Sequence, residues 1–274
     1  MSLPSYHNHT CFCDGKNTAE EMVLAAIQAG MPEIGFSGHA RMPLEPDWCM
    51  TEEGEKEYFE SISALKIKYA DKIKIYLGIE QDYYSVPVSY PYDYIIGSVH
   101  ALDVGDGKLI DIDLDLEDVR RNVEEYFDGD PYKYVEAYYD TVSKAYEKTK
   151  CDIIGHFDLV TKFLDIDPLF SEEHPRYVAA RDKALKALLE NTHSIFEVNT
   201  GGIYRGYRNV PYPNIPLVTE LYKKGARFVI NADSHCTESI DFMLSPIAAE
   251  LEHEGVPYFT SLDEILEITR KHSN

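Results

Sequence analysis

Short apolar runs alternate with stretches of helical periodicity throughout this chain, and a histidine or an acid stands at the end of run after run. The runs are Pro4–His9, Glu33–His39, Ile73–Glu80, Tyr94–His100, Asp152–His156, Ser194–Asn199 and Arg227–Asn231. This rhythm predicts parallel strands joined by helical crossovers. Thr18 with Glu21 forms a capping box ahead of Met22, Val23, Ala26 and Ile27, and Gly30 then Pro32 stop that helix. Further helices are expected over Glu52–Tyr69, Leu116–Phe127, Tyr132–Thr149 and Tyr177–Glu190, then near Pro216, from Ser239 and from Ser261. About seven βα units suit a barrel and an open sheet alike. The polar residues favour the barrel. Its C-terminal strand ends converge on one rim, whereas a doubly wound sheet would spread them along an edge. No repeat, low-complexity tract or linker divides the chain, so residues 1–274 are expected to form one α/β domain shaped as a TIM-like barrel.

Charge narrows the function. Asp and Glu number 48 against 26 Lys and Arg, a net charge of −22, which disfavours electrostatic binding to nucleic acid or anionic membrane. No run reaches the length of a membrane-spanning helix. Met1–His9 has neither a basic n-region nor an apolar h-region, so the cytoplasm is the expected compartment. The five cysteines include no Cys-x-x-Cys pair and make neither a disulfide framework nor a zinc ribbon. Asp103–Asp118 holds seven carboxylates with only Lys108 among them, and is expected to be largely a solvated loop.

Of the ten histidines, His7, His9, His39, His100, His156 and His235 fall at or just past strand ends. His174, His193, His253 and His272 do not, and read as helix or surface residues. His7 and His9 are two apart, as are Asp233 and His235, so each pair faces one side of an extended chain. Small residues precede His39, Glu80, His100 and His156 and would leave room for an ion or substrate. Any one of these histidines alone reads as an ordinary core residue. Together with Asp14, Glu80 and Asp233, six histidines on one rim read as a metal cluster. Nitrogen and oxygen ligands without cysteine suit Zn, Mn or Fe. Nine ligands exceed what one ion takes, and a carboxylate such as Glu80 can bridge two.

The motifs His7-Asn8-His9-Thr10 with Asp14-Gly15, Ser37-Gly38-His39, Gly78-Ile79-Glu80, Gly97-Ser98-Val99-His100, Gly155-His156-Phe157-Asp158, Glu197-Val198-Asn199-Thr200 and Asn231-Ala232-Asp233-Ser234-His235 span nearly the whole chain. In these the sequence resembles the polymerase and histidinol phosphatase (PHP) family, and within it the monofunctional histidinol-phosphate phosphatases. The resemblance implies a distorted (βα)7 barrel with three divalent transition-metal ions, Zn, Mn or Fe. It assigns His7, His9, Glu80 and Asp233 to the first ion. Glu80 would bridge to a second ion, completed by His100 and His156. Asp14, His39 and His235 would hold the third. The activity implied is hydrolysis of L-histidinol phosphate, a step of histidine biosynthesis, by a metal-bridging hydroxide. Glu80, Asp14 and His235 are then the catalytic candidates, and the leaving-group acid is left open between a metal-bound water, Asp14 and His235.

For the phosphate, the basic residues beside motifs stand out on so acidic a chain: Arg205, Lys162 and, more weakly, Arg41 and Arg208. The resembling phosphatases tend to carry Arg near position 162, and Lys keeps the charge but loses the bidentate fork. Glu45 and Asp47 are weaker candidates for a cationic part of the substrate. Residues 41–50, with the only Trp, Trp48, form either a lid or a packed connector. The expected partner is a small phosphomonoester. The rival readings are a phosphoesterase acting on nucleotides or nucleic-acid ends, a metal-stabilised scaffold, and a C–N hydrolase of amidohydrolase type.

Overall fold

The computed structural model describes residues 2–43, 46–191 and 193–270. Seven strands run parallel in the order β1 (Glu33–Phe36), β2 (Lys74–Asp82), β3 (Tyr94–Ser98), β6 (Ile153–Ile154), β7 (Ile195–Asn199), β8 (Phe228–Asn231) and β9 (Tyr258–Phe259). A separate antiparallel hairpin pairs β4 (Ala101–Asp103) with β5 (Leu109–Asp111). No helix among the described residues is long and apolar enough to cross a membrane.

The first apolar run is not a regular strand. It is an extended segment that bridges β1 through Ser5 and Ile34 on one side and Ser234, just past β8, through Asn8 on the other. His9 donates its backbone N–H to Ser234 at 2.8 Å, and Gly35 donates to Ser5 at 2.9 Å. The buried Asn8 amide donates to the Ser5 and Gly35 carbonyls at 3.0 and 2.8 Å. The segment thus closes the curled sheet between β1 and β8, and Asn8 explains why a polar residue separates the two histidines.

Strand alternation sorts the core into two layers. Tyr76, Ile195 and Val229 join Tyr6, Tyr94, Ile96 and Ile153 in a cluster plugged by Leu262 and Ile265 of the last helix, Leu262–Arg270. Their strand neighbours Leu77, Phe196, Phe228 and Ile230 face the other way, into the cluster shared with the surrounding helices.

The capping box at Thr18 is present, with the Glu21 carboxylate accepting from the Thr18 N–H at 2.8 Å. Three further expectations change. The helix over Tyr132–Thr149 is two helices, Pro131–Val142 and Ala145–Thr149, with the Ser143 hydroxyl donating to the Asp140 carbonyl at 2.6 Å at the break, a local bond that competes with the helical ladder. The acidic stretch is partly ordered. Gly105, Asp106 and Gly107 all take positive φ and turn β4 into β5.

The third concerns the small residues before the ligands, which make room for packing rather than for an ion. A Cβ at Gly78 would lie 2.3 Å from the Tyr94 ring, one at Gly97 2.6 Å from Cys151 Sγ, and one at Gly155 2.6 Å from Ser98 Oγ.

Candidate metal centre

Strand ends bring the ligand candidates together as the barrel geometry requires. Glu80, in the last third of β2, is 1% exposed and is the hub. Its Oε1 lies 2.9 Å from His156 Nε2 and 3.5 Å from His100 Nε2, and accepts from the Ser98 hydroxyl at 2.6 Å. Its Oε2 lies 3.0 Å from His39 Nδ1, 3.1 Å from His7 Nε2 and 3.4 Å from His9 Nε2. Asp233 Oδ1 stands 3.4 Å from His9 Nε2, 3.6 Å from His235 Nδ1 and 3.7 Å from His7 Nε2. At the outer side, Asp14 Oδ2 is 3.1 Å from His235 Nε2, and Asp14 Oδ1 is 3.7 Å from His39 Nε2. The structure therefore places all nine residues in one contiguous cluster.

Among the described residues, four groupings have the spacing to hold an ion: His7, Glu80 and His156; His7, His9 and Asp233; His39, Glu80 and His100; and His9, Asp14, His39 and His235. Whether a cation fits is tested by the buried polar atoms. His7 Nε2, His9 Nε2 and Glu80 Oε2 are buried without a hydrogen-bond partner. Leaving such atoms unsatisfied is costly, and a cation among them would satisfy them together.

Electrostatics within the bare cluster are uneven. Burial first, then His235 and His39, press His9 down to about 3. Burial opposes charge on His100 as well, but Glu80, Asp82 and Asp113 together lift it to about 9. Burial likewise penalises the Glu80 carboxylate, yet His7, His39 and His100 hold it well below the usual range. Asp233 is held down too, with Arg205 and His7 outweighing its burial.

Behind the ligand candidates sit acids to which the motifs alone assign no role. Glu197, fully buried on β7, meets His7 Nδ1 at 2.7 Å, accepts from the His156 N–H at 2.8 Å and from the Asn199 and Asn231 amides, each at 2.9 Å. A carboxylate on the far nitrogen of a ligating histidine orients the ring and raises its basicity. Asp82, at the end of β2, accepts from the His100 N–H at 2.5 Å. The signal for both was present: each acid lies within one or two residues of a strand end in a fully buried run.

The cluster lines a cavity of about 220 Å³. Arg205 reaches it and donates to Asp233 Oδ2 at 2.9 Å and to the Asp233 carbonyl at 3.1 Å. Gly201 allows this approach, since a Cβ there would be 2.8 Å from both Arg205 Nη2 and Asp233 Oδ2. Lys162 also lines the cavity, with its ammonium donating to Asp113 Oδ2 at 2.9 Å and to the Asp113 carbonyl at 2.6 Å. Arg41 is placed elsewhere. It does not line the cavity, and its Nε donates to Glu55 at 2.9 Å on the helix Glu52–Lys68. Arg208 is likewise turned away, onto the Thr161 carbonyl and Glu172. Trp48 packs edge-on 5.0 Å from His39 and lines the cavity, while Cys49 and Met42 beside it are buried against Ala101. This much of segment 41–50 is a packed connector. Glu45 lies outside the described residues, and the exposed Asp47 does not line the cavity.

The PHP domain family matches residues 5–201. The chain belongs to the PHP domain family. Six of the nine rim residues fall inside the matched segment as far as His100, and His156 with them, while Asp233 and His235 come from beyond it. A protein of Deinococcus radiodurans named as a probable histidinol-phosphatase is 29% identical over 262 residues, covering 91% of this chain and 92% of its own. The crystal structure of hisK, a candidate histidinol phosphatase of Listeria monocytogenes, superposes with a TM-score of 0.74 at 25% identity, covering 89% of this chain and 99% of its own. The histidinol phosphate phosphatase of Lactococcus lactis, solved with Zn, L-histidinol and phosphate, shares the fold at a TM-score of 0.63 and 22% identity, covering 94% and 95%. As the PHP neighbours predict, the parallel sheet here is curled, and the histidine-rich rim lies at the C-terminal ends of its strands.

Proposed function

We propose that this protein is a metal-dependent phosphomonoesterase that hydrolyses L-histidinol phosphate to L-histidinol and phosphate, with residues 1–274 acting as one catalytic unit. The observation that carries the reading is the convergence of nine nitrogen- and oxygen-bearing side chains with Glu80 as their hub, several with buried, unpartnered atoms, beside a cavity lined also by Arg205 and Lys162. The names and ligands of the similar proteins support the substrate.

His7, His9, Glu80 and Asp233 would hold one ion, Glu80, His100 and His156 a second, and Asp14, His39 and His235 a third. Nitrogen and oxygen donors without thiolate suit Zn, Mn or Fe. Bound there, divalent ions supply Lewis acidity toward the phosphoryl oxygens and lower the pKa of water toward neutrality.

The chain's own side chains do the rest. Glu197 holds the His7 ring through Nδ1, fixing the nitrogen that faces Glu80. The Arg205 guanidinium, anchored on Asp233, and the Lys162 ammonium present two positive charges to a bound phosphate. Holding charge where it develops is worth more in a site that excludes water. Asp14 and His235 are the most exposed members of the rim, at 32% and 20% of their side-chain surface. Paired at 3.1 Å, they form the part of the rim nearest solvent.

The test is a turnover assay of the Zn- or Mn-loaded protein on histidinol phosphate, a 5′-nucleotide, p-nitrophenyl phosphate and an oligonucleotide. Histidinol phosphate is expected to show the highest kcat/KM. Preference for the nucleotide would overturn the substrate, and inactivity on all four despite bound metal would overturn the enzyme.

A further inference from the structure

One wall of the cavity takes no part in the hydrolysis described above. Strand β5 ends at Asp111, and the bend that follows it brings Asp113 to the same cavity. The backbone between them is pinned, with Ile112 donating to the His100 carbonyl at 2.9 Å and the Tyr134 hydroxyl to the Ile112 carbonyl at 3.0 Å. Both carboxylates line the cavity, yet only one is neutralised. Asp113 holds the Lys162 ammonium, which also lies 4.7 Å from the centre of the Tyr207 ring. Asp111 has no Lys or Arg within ion-pair distance among the described residues. Burial, then the neighbouring Asp113, raise its carboxyl against the opposing pull of His100 and a hydrogen bond from Trp48.

Two further features define this wall. Trp48 and Tyr207 supply aromatic surface, and Trp48 lies 5.7 Å from the His100 ring.

We propose that Asp111 binds the cationic nitrogen of the leaving alcohol, between Trp48 and Tyr207, and so selects phosphomonoesters whose alcohol carries an ammonium or imidazolium group. The inference rests on the phosphomonoesterase reading and names a specificity residue within it. The two ends of such a substrate meet opposite charges. Its phosphate faces the metal-capable rim with Arg205 and Lys162, and its cation faces the wall carboxylate that pairs with no Lys or Arg among the described residues. Lys162 matters to both, because by pairing with Asp113 it leaves Asp111 for the substrate to meet.

The experiment compares the metal-loaded wild type with Asp111→Asn and Asp111→Glu on three esters: histidinol phosphate, ethanolamine phosphate and p-nitrophenyl phosphate. Metal content and melting temperature are measured for each protein. In Asp111→Asn the ratio of kcat/KM for either ammonium ester to that for the nitrophenyl ester is expected to fall at least tenfold, mainly through KM. Asp111→Glu should restore part of the ratio. A ratio unchanged within twofold, with metal content preserved, would overturn the role of Asp111 and leave the phosphatase reading intact. Wild type that rejects histidinol phosphate but accepts ethanolamine phosphate would overturn the proposed substrate, with Asp111 then judged on the second ester. Wild type that prefers the uncharged ester to both would overturn both.

Discussion

Glu80 shows how much one carboxylate can be asked to do. Its two oxygens face five histidines, at 2.9 to 3.5 Å, while it is 1% exposed. Replacing it by Gln keeps the shape and removes the charge. Glu80→Gln is expected to lower kcat by about 100- to 1000-fold or more, the scale of losing a preorganised electrostatic partner, and to reduce bound metal as measured by atomic emission. Retention of full activity and metal would contradict its place as the hub. Glu197 makes the complementary case from one layer back, because it touches His7 and the His156 backbone rather than the cavity. Glu197→Gln should cost about 10- to 100-fold in metal affinity, as outer partners of ligating histidines do. A metal titration reads it directly.

At the scale of elements, two glycines within strands, Gly35 and Gly78, are fitted to one tyrosine. The Tyr94 side chain crosses the space above Gly35 and Gly78 to donate to the Tyr6 carbonyl and, at 2.9 Å, to the Phe36 carbonyl. It thereby ties the closing N-terminal segment to β1 and β3. Gly78→Ala would press a methyl into that ring, and overpacking of this kind costs about 1–3 kcal/mol. Denaturant melts of the variant should show the loss, with activity following because Glu80 is two residues along the same strand. Most helices and strand ends were legible from apolar periodicity and end signals, as with Thr18 and with Pro216 in the first turn of the helix Ile215–Lys223. The β4–β5 hairpin was not, although Gly105-Asp106-Gly107 marked its turn. Its short strands are submerged in charge, so alternation was masked by acids that looked solvated.

The whole molecule concentrates its charge problem at the rim. A net charge of −22 is mostly carried on the surface, but Glu80, Asp233 and Glu197 are buried within a few residues of one another in space. Cations that bind there bind the folded chain only. At a hundredfold excess over Kd, one such ion stabilises by about 2.7 kcal/mol, which for a chain of this size raises Tm by roughly 5–10 °C. Chelation should lower Tm by that order, and Zn or Mn should restore it; an unchanged melting curve would argue against metal at the cluster. The pH dependence follows from His100. In the bare chain it is lifted to about 9, so it carries a proton at pH 7. Ligation needs the neutral ring, so uptake must release that proton. Metal affinity is therefore expected to fall as pH drops below about 9, with proton release on binding measurable by calorimetry in buffers of different ionisation enthalpy.

By itself, the sequence determined the class of fold and which nine residues are the ligand candidates. Both depend on local pattern: apolar runs of strand length, helical periodicity between them, and a donor at each run's end. The tertiary structure alone decided what those donors face. Closure by the N-terminal segment sets His7 and His9 beside Asp233 and His235, more than 220 residues away along the chain. The same packing turned Arg41 onto Glu55 and brought Asp111 and Asp113 to the cavity wall. A side chain's partners are fixed by which elements pack around it, and no spacing along the chain records a contact made across a barrel.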